Sequence, residues 1–213
     1  PFTLSHALRR SLRYLLDTLQ VLPQRRVRLC GDESLPIIIA SDGRADESGP
    51  PSVGVVLFDP QTGRRCAVAA RITGDLLRAW GDPVQPIALV EQAAVLLGVC
   101  QFAGVLRGRP VLWFEDNAAV LAGLVKGSSS TADLDQGVAV IHLLLAALQV
   151  RVWFEYVESA ANWSDGVSRE LEKDPWAQAN GFPVAIAEVP LWPWTVEADY
   201  RTQRVLQEVS MSA

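Results

Sequence analysis

The sequence is poor in the residues that disulfide, zinc and thiol chemistry require. Three cysteines occur among 213 residues, at positions 30, 66 and 100, and none forms a CxxC pattern. Their odd number and wide spacing indicate neither a disulfide framework nor a zinc site, which predicts a reducing, intracellular setting. The two histidines, His6 and His142, both fall in helical patterns. No Ser/His/Asp or Cys/His arrangement can be built from them, so these forms of nucleophilic catalysis are excluded.

Signatures of phosphate loops, secretion and membrane spans are also missing. No glycine-rich phosphate-binding loop occurs, and the amino terminus lacks the short apolar block of a signal peptide. The apolar stretch 87–106 carries a charge, Glu91, together with two glutamines and two glycines. It therefore predicts a buried core helix rather than a membrane span. Because the chain begins with Pro1 and its only methionine is Met211, we expect a piece of a longer polypeptide.

The composition predicts a globular protein with one principal domain. Apolar residues make up 49% of the chain and charged residues 20%. The formal net charge of −5 argues against a generally basic protein that coats nucleic acid. Six of the 19 basic residues nevertheless lie within the first 28 positions, namely Arg9, Arg10, Arg13, Arg25, Arg26 and Arg28. The rest of the chain is therefore distinctly acidic.

Hydrophobic periodicity predicts an α/β fold. Leucines at helical spacing predict an amphipathic helix over residues 4–22. A β-branched strand at 35–41 precedes a hairpin with strands at 53–59 and 64–72. The pattern then alternates, with helices at 86–106, 117–126, 132–149 and 163–171 and strands at 110–115 and 150–157. We therefore predict a mixed five-stranded sheet, three antiparallel strands followed by parallel ones, with helices on both faces.

The chain divides into three parts by composition. Residues 1–34 form an amphipathic helix and an arginine-rich connector, and residues 35–171 hold the α/β domain. Residues 172–213 include the stretch FPVAIAEVPLWPW. The prolines in this stretch predict an extended appendage, containing proline and tryptophan, that packs on the domain or on a partner.

Four acids occupy ends of the predicted elements. Asp42 ends the first strand, Glu91 lies inside the most apolar helix, Asp116 ends the fourth strand, and Asp165 begins the last short helix. The carboxyl ends of adjacent strands meet at one edge of a sheet, where sites form. Taken singly, Asp42 could be a turn residue, and Asp116 and Asp165 could be helix caps. Glu91 is harder to explain, because a carboxylate buried in an apolar helix needs a cation, a metal or an unusual pKa.

Together the four acids are what a pair of divalent metal ions requires. Carboxylate oxygens are hard ligands that suit Mg²⁺, with Mn²⁺ as a substitute. Two such ions about 4 Å apart activate a water and stabilise the departing oxygen in phosphodiester cleavage. Glu115 precedes Asp116, and side-chain alternation places the two acids on opposite faces of the strand, so only one of them is expected to be a ligand.

Four segments in this order resemble the successive motifs of ribonuclease H domains: IIIASDGRAD, IALVEQAAVLLG, VLWFEDNAAVLAGLVKG and VESAANWSDGVSR. They are most similar to the domains attached to reverse transcriptases of DIRS-like and related retroelements, over about residues 35–171. The resemblance implies a ribonuclease H-like fold and makes Asp42, Glu91, Asp116 and Asp165 the metal-binding, catalytic carboxylates. It implies cleavage of the RNA strand of an RNA·DNA hybrid. Of the two adjacent acids, the motif match chooses Asp116 as the ligand and leaves Glu115 a bystander.

The resemblance also implies nucleic-acid contacts and a neighbouring domain. Asn117, Asn162 and Arg169 adjoin the carboxylates and are expected to contact the hybrid, although Arg169 could equally be an exposed helix arginine. The helix before the first strand resembles the link to an upstream reverse transcriptase domain. One departure is that the loop before the last aspartate contains Glu158 and no histidine. An alternative is therefore a catalytically silent ribonuclease H-like scaffold or nucleic-acid-binding module inside a larger protein.

Overall fold

Six strands form one mixed sheet in the computed structural model, which describes residues 5–22, 34–47, 49–83, 86–197 and 200–211. The strands are β1 Ile37–Arg44, β2 Ser52–Asp59, β3 Arg64–Arg71, β4 Pro110–Glu115, β5 Arg151–Tyr156 and β6 Val184–Ile186. Their order across the sheet is β5-β4-β1-β2-β3-β6. β1, β2 and β3 pair antiparallel, while β4, β5 and β6 join in parallel.

Helices cover both faces of this sheet. They are α1 His6–Val21, α2 Gly74–Ala79, α3 Ile87–Gln101, α4 Ala103–Leu106, α5 Ala118–Lys126, α6 Ala132–Ala147, α7 Asp165–Glu170, α8 Pro175–Ala179, α9 Trp192–Thr195 and α10 Arg201–Met211. Short 3₁₀ turns occupy Ser159–Ala161 and Leu171–Lys173. Among the described residues, none of these helices has the length and apolarity that a membrane crossing requires.

The predicted mixed sheet with helices is confirmed, with one more strand than predicted. β6 is only three residues long and lies between prolines, so its sequence carries no strand period. β1 extends beyond the predicted end at residue 41 to Arg44, because β2 continues to pair with it. The predicted helix at 86–106 is divided after Gln101 into α3 and α4.

α3 is the centre of the hydrophobic core. Every residue from Leu89 to Cys100 is buried, because the helix lies between the sheet on one side and α6 on the other. A helix that is apolar on all sides belongs in such an interior position. The core around it includes the fully buried side chains of Ile39, Leu96, Trp113 and Ile141.

The description of residues 172–213 as extended is wrong for their described part. This segment contains α8, β6, α9 and α10, and β6 completes one edge of the sheet. Val205 and Val209, one helical turn apart on α10, are buried in the main core. Thr202 on α10 contacts Thr18 on α1 through their hydroxyl groups at 3.2 Å. The tail therefore packs on the domain, whereas residues 23–33 of the arginine-rich connector lie outside the described part of the chain.

Candidate metal centre

Asp42 lies on β1 at the point where the sheet changes its pairing. On one side it pairs in register with Gly54 of β2, so it is a ladder residue and the turn interpretation is wrong. On the other side, the parallel ladder between β1 and β4 ends at Ala40 and Phe114, two residues before Asp42 and Asp116. The side chain of Asp42 is 4% exposed. Asp42 and Asp116 thus lie two residues beyond the last residues that pair β1 with β4.

Glu91 reaches the same place because β1 and α3 approach closely at Gly43. A Cβ atom on Gly43 would lie 2.6 Å from the backbone nitrogen of Glu91 and 2.8 Å from its Cα, well inside ordinary contact. The backbone N–H of Gly43 donates to Glu91 Oε2 at 2.5 Å. Only a residue without a side chain permits this approach, so the glycine after Asp42 positions the carboxylate of Glu91.

Asp116 is left free for a ligand because its neighbour caps the following helix. Asn117 Oδ1 accepts from the backbone N–H groups of Ala119 and Val120 at 3.1 and 3.2 Å, so Asn117 and not Asp116 is the N-cap of α5. Asp116 Oδ1 is buried and, within the described residues, has no hydrogen-bond partner. A buried carboxylate oxygen without a partner is costly, and a bound cation would offset that cost.

The three carboxylates converge. Asp42, Glu91 and Asp116 each place one oxygen so that all three oxygens lie within 4.8 Å of one another. Burial, with the nearby charges of Asp116 and Asp165, raises the pKa of Asp42 to about 7. Burial and the charges of Glu115, Asp42 and Asp116 raise the pKa of Glu91 to about 10. This donor set of hard oxygen atoms fits a divalent cation, whose charge would replace the protons held there.

Asp165 lies beside this cluster but is not one of the three converging groups. It is the first residue of α7, and its carboxylate accepts from Arg169 Nε at 2.9 Å on the same helix. Arg169 also lies 3.6 Å from Asp46 and is about half exposed. The charge of Asp165 contributes to the raised pKa of Asp42, while the charge of Arg169 opposes it. Asp165 is therefore near enough to raise the pKa of Asp42, but its carboxylate is paired with Arg169.

Ser168, which was not among the residues predicted from the sequence, contacts Asp42 directly. Its hydroxyl group donates to Asp42 Oδ2, and it is fully buried. The contact depends on Gly54, where a Cβ atom would lie 2.8 Å from the carbonyl carbon of Val167. α7 therefore packs against β2 as closely as α3 packs against β1. No local signal marks a serine of this kind, because its partner is 126 residues away.

Asn162 holds two backbone segments together and is not exposed for contact with nucleic acid. Its side chain is 7% exposed. Nδ2 donates to the backbone oxygen of Ser41 at 2.9 Å, and Oδ1 accepts from the backbone N–H and the hydroxyl group of Ser164. It thus joins the loop before α7 to β1. Asn117 and Arg169 are accessible to solvent and remain beside the cluster.

Glu115 is not the bystander that the motif match suggested. It is fully buried on the side of β4 that carries Trp113, and it accepts from Ser41 Oγ at 2.9 Å. Burial raises its pKa well above the ordinary value, and its charge is the first neighbouring charge that raises the pKa of Glu91. Alternation along β4 places Glu115 on the same side as Trp113, and that side is the interior.

A solved structure shows the same architecture. RNase H1 from the halophilic archaeon Halobacterium salinarum aligns with 17% identity and a TM-score of 0.50, over 63% of this chain and 96% of that one. The chain has a ribonuclease H-like fold. The N-terminal RNase H domain of a Mycobacterium tuberculosis protein, solved as a fusion with maltose-binding protein, aligns at 18% identity with a TM-score of 0.49, over 68% and 99% of the two chains. No protein-family model matches the sequence, and no curated protein matches it significantly.

Within this ribonuclease H-like fold, the site has no histidine partner among the described residues. His142 lies on α6, and its Nε2 is 2.8 Å from the backbone oxygen of Leu124 on α5, where it joins two helices. Glu158 occupies the loop before α7 and is exposed. The chemistry available at the centre therefore comes from carboxylates, serines and Arg169.

Proposed function

We propose that this protein is a metal-dependent endonuclease that cleaves the RNA strand of RNA·DNA hybrids. The convergence of Asp42, Glu91 and Asp116 within 4.8 Å carries the proposal, because it occurs at the edge of a ribonuclease H-like sheet. We further propose, from the sequence motifs, that the chain is the ribonuclease H part of a retroelement reverse transcriptase polyprotein. Its partner in the same polypeptide would be an upstream reverse transcriptase domain, and its location would be inside the cell.

The cofactor in this proposal is a pair of Mg²⁺ ions, with Mn²⁺ as a substitute. Asp42, Glu91 and Asp116 would hold them, and Asp165 would join as the fourth carboxylate. When bound, the ions would supply activation of the attacking water and stabilisation of the leaving 3′ oxygen. The chain's own contribution is preorganisation: the N–H of Gly43 holds Glu91 in place, and Ser168 holds Asp42.

Binding of the hybrid would rely on contacts that do not read sequence. Ribonucleic acid helices in A-like form are recognised mainly through phosphates and 2′-hydroxyl groups. Arg169 and Asn117 flank the carboxylates at the surface and are the proposed contacts, whereas Asn162 would act by holding the loop to β1. Since the net charge is −5, further affinity would come from the amino-terminal arginines or from a neighbouring domain.

The second candidate function is a catalytically silent scaffold with the same fold. The absence of a histidine in the loop before Asp165 favours it. The burial of Glu91 at 5% exposure argues against it, because a scaffold gains nothing from a carboxylate in its most apolar helix. The two candidates differ in a single property, which is turnover.

The deciding experiment is hydrolysis of a labelled RNA·DNA hybrid with Mg²⁺ or Mn²⁺, compared with duplex DNA of the same sequence. The wild-type protein should cut only the hybrid, and only in its RNA strand. Asp116→Asn removes one ligand and should abolish cleavage. Glu155→Gln, which removes an exposed carboxylate from β5, should cut as well as the wild type. Equal cleavage by the wild type and Asp116→Asn would exclude an active site at this centre.

A further inference from the structure

The two strands that carry Asp42 and Asp116 are held together by side chains where their backbone pairing stops. The parallel ladder between β1 and β4 ends at Ala40 and Phe114. The next residue on each strand is Ser41 and Glu115. Here the Ser41 hydroxyl group donates to Glu115 Oε2 at 2.9 Å and bridges the strands. The bridge lies one residue before each of the two metal-ligand candidates.

Neighbouring groups fix the direction of this bridge. Trp113 Nε1–H donates to Ser41 Oγ at 2.8 Å, so the single hydroxyl proton of Ser41 is directed toward Glu115. The backbone N–H of Asn117 is 3.4 Å from the other carboxylate oxygen, Glu115 Oε1. Ser41, Trp113 and Glu115 are all fully buried. Hydrogen bonds in such an interior are strong and rigid, since water cannot compete for them.

We propose that the Ser41–Glu115 bridge is a positioning device that sets the separation of Asp42 and Asp116, and thereby the affinity of the centre for its divalent metal. The inference rests on the metal-dependent function proposed above. Glu115 is bonded to Ser41 and is not one of the three converging carboxylates, so it acts through the placement of the strands and not as a ligand. Partners that orient metal ligands in this way change metal affinity by about 10- to 100-fold.

The position of the bridge explains why an acid is buried there. Glu115 lies close enough to Glu91 and Asp116 for their charges to interact, and burial of like charges together destabilises a metal-free fold. An apolar side chain would fill the interior at lower cost but could not accept the Ser41 hydroxyl proton. The strands would then lose the hydrogen bond that joins the residues directly after Ala40 and Phe114.

The test measures binding of Mn²⁺ to the purified protein, without substrate, by calorimetry or by paramagnetic resonance of the free ion. Glu115→Gln removes the charge but retains a carbonyl oxygen that accepts from Ser41. Glu115→Met removes the same charge and has no such acceptor. The bridge predicts that the Gln variant binds within about threefold of the wild type, while the Met variant and Ser41→Ala bind at least about tenfold more weakly. The control Glu155→Gln should be unchanged.

Two outcomes would overturn the inference. Equal weakening in the Gln and Met variants would show that the charge of Glu115 matters and the bridge does not. Unchanged affinity in all the variants would show that neither the charge of Glu115 nor the bridge affects metal binding. Thermal unfolding of each variant reports whether it folds, and if Glu115→Met does not, Ser41→Ala decides because it removes only a hydroxyl group. Since the measurement needs no hybrid, its result is independent of whether the wild type proves to be a nuclease.

Discussion

Gly43→Ala is the substitution whose effect the structure predicts most sharply. The added Cβ would lie 2.6 Å from the nitrogen of Glu91 and 2.8 Å from the carbonyl carbon of Val90, both backbone atoms of α3. Ordinary carbon contacts begin near about 3.5 Å, so α3 and β1 must separate by about 1 Å. Side-chain motion cannot relieve this overlap.

Two terms add to the cost of this change. Overpacking of a tight interface destabilises by about 1–3 kcal/mol. The hydrogen bond from the Gly43 N–H to Glu91 Oε2 lengthens beyond useful range; because the pKa of Glu91 is raised to about 10, this acceptor is protonated near neutral pH, and such a bond contributes about 0.5–1.5 kcal/mol. The sum, about 1.5–4.5 kcal/mol, corresponds to a fall in Tm of roughly 3–18 °C for a chain of this length. The substitution also moves Glu91 away from Asp42 and Asp116, so the rate of hybrid hydrolysis should fall below that of the wild type.

The assay is thermal and urea unfolding of purified protein, together with hydrolysis of a labelled hybrid. Gly49→Ala is the matched control, because a Cβ there meets only the flexible end of Arg44 at 3.4 Å. It should unfold and cleave like the wild type. The reasoning is refuted if the two variants have the same Tm, or if Gly43→Ala retains full activity.

Three further predictions concern protonation, binding and the tail. Because the pKa of Asp42 is raised to about 7, the protonated carboxyl group stabilises the metal-free fold fully below about pH 4, and this stability is lost as the pH rises through 7. The Tm measured in EDTA should therefore fall from pH 5 to pH 8 and recover when Mg²⁺ is added. In Asp42→Asn the fall should be smaller. Arg169→Ala should weaken hybrid binding about fivefold and lower its salt dependence, measured by fluorescence anisotropy with Ca²⁺, whereas Arg169→Lys should retain most of the affinity. A chain ending at residue 186 should lose cooperative unfolding in calorimetry, because it lacks the buried Val205 and Val209.

The fold could be predicted from the sequence wherever the pattern is local. Strand β4 begins and ends at the predicted residues, and the hairpin of β2 and β3 agrees within one residue at each end. β6 could not be predicted, because three residues between prolines carry no period and its partner β3 is more than 100 positions away. α10 could not be predicted for a similar reason, because the apolar face around Val205 packs on α6, which is also distant in the chain.

The identity of the candidate acids was a property of the sequence, since each falls at an element end or in an apolar helix where it is costly without a cation. Only the tertiary structure decided how they meet. It brought Asp42, Glu91 and Asp116 together and left Asp165 paired with Arg169. It also placed Glu115 in the interior as a bridge to Ser41. The physical reason is that periodicity reports which face a residue occupies, whereas hydrogen bonds and close backbone approaches depend on residues that are far apart in the chain.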